Sequence, residues 1–125
     1  MFYWGSFIND RRREKRNASL QIRNSQLERE QLELGLKADL SNLWQAYRNN
    51  LRLLNLERQN LVAARENHEI AKERYLLGDL SGIEMREAQK SLLDAEERIL
   101  SAEYNTKVCE ISLLQLSGRI TKYLE

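Results

Sequence analysis

At 125 residues, with 31% charged side chains, 7% aromatics and no proline, the chain has the length of one domain but the composition of long helices rather than of a mixed fold. A net charge of +1 argues against a uniformly basic nucleic-acid footprint; a lone cysteine, Cys109, makes no intrachain disulfide, and with the lone histidine, His68, it falls short of any standard ligand count. There is no apolar run of bilayer-spanning length and no signal-peptide order at the N-terminus, so the expectation is a cytosolic protein or a piece of a longer one whose targeting segment lies elsewhere.

Residues 1–10 begin "MFYWGSFI", which holds four aromatic residues, Phe2, Tyr3, Trp4 and Phe7, without helical spacing. Their β-forming character predicts a short extended or β segment, although nothing nearby would pair with it. The basic cluster "RRREKR", Arg11 to Arg16, follows. With the aromatics stacking on bases it would suit nucleic acid; such a cluster is more often a solvated helix start, and the aromatics beside it suit a membrane-interface belt equally well.

A long helix is expected over residues 11–77, with its pattern clear from Asn17 to Ser19 onward and Gly35 as its only weak residue. Leu40, Tyr47, Leu54, Leu61, His68 and Tyr75 recur every seven residues beside Leu36, Leu43, Asn50, Glu57, Ala64 and Ala71, which is a coiled-coil seam. Asn50 and Glu57 are polar on that seam; either they line a water-filled interior or the heptad drifts there. His68 reads as packing. Exposed faces carry pairs such as Glu33 with Lys37 at helical spacing, and no catalytic arrangement stands out, so no enzyme and no cofactor are expected.

The turn is expected over residues 78–81. Gly78 is placed as the left-handed residue that closes the first helix, and Ser81 with Glu84 forms an S-x-x-E capping box flanked by Leu80 and Met85. So short a loop makes the two helices antiparallel. The second helix, residues 82–117, has a seam of Met85, Leu92, Ile99, Thr106 and Leu113 beside Ala88, Ala95, Ala102, Cys109 and Leu116, whose small residues invite close approach of another backbone. Gly118 is expected to end it, leaving residues 118–125 as a tail. Folded back, Gly118 falls near residues 39–41, so Leu20, Ile22, Leu27, Leu32, Leu34 and Leu36 find no partner in the chain. The fold class is therefore an all-α, long antiparallel helical hairpin, coiled-coil-like, with a short extended N-terminal segment.

The stretch Ala71 to Gly118 resembles the last helical hairpin of the TolC-like outer-membrane efflux proteins. The likeness rests on a co-linear set: Tyr75 and Gly78, Ser81, Ala88 with Gln89, Leu92 with Leu93, Ala95, Tyr104 with Asn105, and Leu116 with Gly118. Residues Phe7 to Arg13, "FINDRRR", depart from the family, which usually has a glycine pair where Asn9 and Asp10 stand.

The resemblance implies a C-terminal fragment of a subunit that forms homotrimers, with a barrel in the outer membrane and an α-helical tunnel across the periplasm. It also implies a periplasmic adaptor and an inner-membrane pump as partners. Tyr75, Gly78, Asp79, Ser81 and Glu84 become candidate adaptor-contacting residues at the tip, with Tyr75 and Asp79 as candidate polar links; read without the family, they only cap helices and end a seam. The competing class is a structural coiled-coil protein that oligomerises through the same seams with no membrane role, and a nucleic-acid-binding hairpin is a third.

Overall fold

The computed structural model describes residues 2–124, and the side chains of 3–122. Two helices make up the structure: α1, Phe2–Leu76, of 75 residues, and α2, Gly82–Leu124, of 43. The residues divide into two units, Met1–Asp39 and Leu40–Glu125.

Within the second unit the helices pack antiparallel. Asn50 meets Thr106 and Cys109, while Glu57, two turns further along α1, meets Arg98, earlier on α2. Burial follows the three-and-four spacing of a seam without interruption. On α1 the half-buried or buried positions include Leu40, Leu43, Tyr47, Asn50, Leu54, Glu57, Leu61, Ala64, His68 and Ala71. On α2 they run from Met85, Ala88 and Leu92 to Leu113, Leu116 and Ile120. The hydrophobic core is small, comprising Leu54, Leu61, Met85, Ala95, Ala102 and Leu116. Ala95 has no accessible surface at all, as a close crossing at a small residue requires.

The polar seam positions neither drift nor face a water-filled interior. Glu57 is only 8% exposed and accepts a 3.1 Å bond from Arg98 Nε. Asn50 Nδ2 donates to the Ala46 carbonyl at 2.8 Å and to Cys109 Sγ at 3.2 Å, and the Thr106 hydroxyl lies 2.7 Å from the Ala102 carbonyl and 3.3 Å from that of Asn50. Each buried polar group thus has a partner, which is the condition for keeping it in a seam.

Three expectations are corrected. Residues 2–10 are helical, not extended. A strand there would leave its backbone groups unpaired, whereas extending an existing helix satisfies one bond per residue, and the Arg11 guanidinium sits 5.0 Å from the centre of the Phe7 ring one turn away. Gly118 does not end α2; helix continues to Leu124, and the half-buried Ile120 keeps the seam spacing, offsetting the roughly 1 kcal/mol cost of an interior glycine. Tyr75 leaves the seam, being 49% exposed. Met1 and Glu125, at the outer ends of the expected N-terminal segment and tail, lie outside the described residues, as does the side chain of Phe2.

In the first unit, Met1–Asp39, the described helix has Leu20, Ile22, Leu27, Leu32 and Leu34 exposed, and Leu36 half-buried. Among the described residues no helix is long and apolar enough to cross a membrane.

Candidate docking site at the hairpin tip

The turn is built from local bonds. Gly78 has φ +80°, and among the described residues it alone has a positive φ. Its N–H donates to the Tyr75 carbonyl at 3.0 Å, and the Asp79 N–H donates to the Arg74 carbonyl at 2.9 Å. These are the two bonds of a Schellman motif, with Gly78 as the left-handed residue just past the helix. An added Cβ at Gly78 would meet nothing within 4 Å, so a substitution there is opposed by backbone strain of about 1–2 kcal/mol and not by a clash.

The entry to α2 is closed just as locally. Ser81 Oγ accepts from the Glu84 N–H at 3.2 Å, and Glu84 Oε2 accepts from the Ser81 N–H at 3.2 Å. This reciprocal pair satisfies two amides that the helix start leaves without partners, while Glu84 also places negative charge at the positive end of the helix dipole. Leu80 is half-buried and Met85 buried on either side of it, the positions a hydrophobic staple occupies. Replacing Ser81 by alanine is expected to cost about 1 kcal/mol. The checks are a lower Tm and faster hydrogen exchange at the Glu84 amide, with the rest of α2 unchanged.

The structure thus brings Gly78, Ser81 and Glu84 together as the turn's framework. Asp79 points outward and pairs with Arg74, Nε to Oδ2 at 3.4 Å, with both side chains more than half exposed. An ion pair so exposed stabilises by a few tenths of a kcal/mol at most, so its chief effect is to present a charged pair at the surface. Arg74 was not among the residues singled out from sequence. Its signal was available, since a basic residue in a helix's last turn, five positions before an acid across a glycine turn, is placed for this contact.

The larger omission is apolar. Leu76, Leu77 and Ile83 are exposed beside the turn, Leu77 to 83%, and with Tyr75 they form an apolar rim around the polar framework. Leucines that fall off the seam immediately before a glycine turn were the sequence signal for it. Rigid backbone and exposed apolar side chains together are what a docking surface needs. A second apolar line, Leu93, Leu100, Tyr104, Ile111 and Leu114, lies exposed along α2 on the face opposite its seam.

Comparison of the chain with protein-family models, curated proteins and solved structures finds no match.

Proposed function

We propose that this chain is part of a TolC-like outer-membrane channel subunit of a tripartite efflux or secretion system. Its hairpin would contribute to the periplasmic α-helical tunnel and end in an adaptor-docking tip. The observation that carries the reading is the capped turn at Gly78 to Glu84 with its rim of exposed Tyr75, Leu76, Leu77 and Ile83. Such a turn is already ordered before a partner arrives, so covering it loses little conformational entropy.

The outer face of α2 is a second support. A helix in a tunnel wall touches neighbours on two sides, which fits apolar residues both on the seam and opposite it. In this reading three copies close the tunnel, an adaptor and an inner-membrane pump act through the tip, and the outer membrane is reached through strands elsewhere in the complete gene product. Transport is passive, with neither cofactor nor catalysis.

The same two apolar lines favour a second reading, a coiled-coil oligomerisation protein with no membrane role. A photo-crosslinking side chain at Leu77, in the complete gene product in cells, separates the two. Crosslinks to a periplasmic adaptor are expected, and they should weaken when Gly78 and Asp79 are replaced while helicity holds. Crosslinks only to further copies of the chain, together with a product wholly outside the membrane fraction, would favour the coiled-coil protein.

A further inference from the structure

The first four turns of α1 carry a feature that neither the hairpin nor its tip uses. Tyr3 is 87% exposed and Trp4 75%, and Phe7 and Ile8 are exposed beside them. Contrary to the expectation of no helical spacing, at 100° per residue these four side chains fall within an arc of about 140°, so they form one apolar patch on the helix surface. Arg11 and Lys15 lie on the same arc one and two turns further on, as does Glu14, and Arg12, Arg13 and Arg16 complete a basic collar against which only Glu14 and Asp10 stand. All of these residues are exposed.

Apolar and basic groups are segregated along the axis here. The middle of the patch and the middle of the basic cluster are about 12 Å apart at 1.5 Å per residue. With the helix axis steep to the bilayer, that separation places the aromatic side chains at the acyl boundary while the long basic side chains reach the phosphates above it. Tryptophan and tyrosine are the residues that favour this depth.

We propose that residues 3–16 are a binding surface for an anionic phospholipid bilayer, independently of whether the chain belongs to a channel subunit. Charge complementarity selects the occupant. A second copy of the segment would bring like charges together, and single-stranded nucleic acid is held by aromatics distributed along a basic groove, whereas here the aromatics all precede the basic side chains. The Arg11 guanidinium over the Phe7 ring joins the two parts, holding a cation at the edge of the apolar patch.

The test uses the full 125-residue chain carrying Trp44→Phe, so that Trp4 alone reports. Vesicles of phosphatidylglycerol and phosphatidylcholine in equal parts are expected to shift Trp4 emission to the blue and to saturate, with binding at least about ten-fold tighter than to pure phosphatidylcholine. Combining Arg11→Gln, Arg12→Gln and Arg13→Gln should lower partitioning about a hundred-fold, at roughly five-fold per basic side chain, with helix content unchanged by circular dichroism. Tyr3→Ser with Phe7→Ser should weaken co-sedimentation with the anionic vesicles as well. Equal binding to both vesicle types, indifference to the arginine substitutions, or saturation of the Trp4 signal by single-stranded RNA at lower concentration than by lipid would each overturn the proposal.

Discussion

Replacing Ala95 by leucine is expected to destabilise the hairpin by about 1–3 kcal/mol, the usual range for forcing extra carbons into a closed site. Ala95 has no accessible surface and Ala102 is nearly as enclosed, so the added side chain has no solvent to turn into. The helices would have to separate, uncovering Leu54 and Leu61, which among the described residues are two of the six side chains that make up the hydrophobic core. With so small a core this is a large share of the available stabilisation. Leu93→Ala is the control, because Leu93 is exposed and its loss should change stability by no more than about 0.5 kcal/mol. Thermal unfolding followed by circular dichroism, with all variants at one protein concentration so that association does not shift the midpoints, measures the difference. A Tm for Ala95→Leu equal to that of the unaltered chain would mean that the seam is not closed at this position.

The second large effect is expected at Glu57 and Arg98. Arg98→Ala leaves a carboxylate that is nearly buried without its partner, at a cost of about 1–2 kcal/mol. That figure lies below the range for fully buried pairs because Arg98 is half exposed and water screens it. Glu57→Leu removes the buried charge altogether and is expected to be neutral or to stabilise by about 1 kcal/mol. In the Glu57→Leu background, Arg98→Ala should then change stability by less than about 0.5 kcal/mol, so the double-mutant cycle isolates the pair. Additive effects of the two substitutions would show that the 3.1 Å contact does not couple them. What the pair adds beyond stability is register, since Glu57 is paired only when Arg98 stands opposite it, and the Asn50, Thr106 and Cys109 contacts impose the same alignment two turns away.

Much of the candidate site was legible in the residues because its bonds are short-range. The glycine at 78, the Ser81 and Glu84 pair and the flanking Leu80 and Met85 close on themselves within a few positions, and no distant residue can alter that geometry. The apolar rim was not read from the sequence, because exposure is a property of what fails to arrive from elsewhere. Leu76 and Leu77 fall off the seam spacing, but the spacing does not say whether some other element covers them, and none does in the described residues. Tyr75 shows the same limit, as it holds a seam spacing in the sequence and yet stands half in solvent, because burial along α1 closes at Ala71 and the chain turns before a facing residue reaches Tyr75.

By itself, then, the amino-acid order determined that there are two helices, where the turn between them lies, how each end of that turn is capped, and which spacing forms the contact line. All of these follow from propensity, from hydrogen bonds spanning no more than five residues, and from a periodicity visible in one strand of text. Tertiary structure decided the status of Asn50 and Glu57, because their partners at 98, 106 and 109 lie more than 40 positions away and are reached only in one antiparallel alignment. That residues 2–10 are helical and that α2 passes through Gly118 was settled instead by local backbone bonding, which outweighs the β-forming and glycine signals. In both places a local preference worth about 1 kcal/mol was set against backbone bonds that need partners, and the uninterrupted helix supplied them.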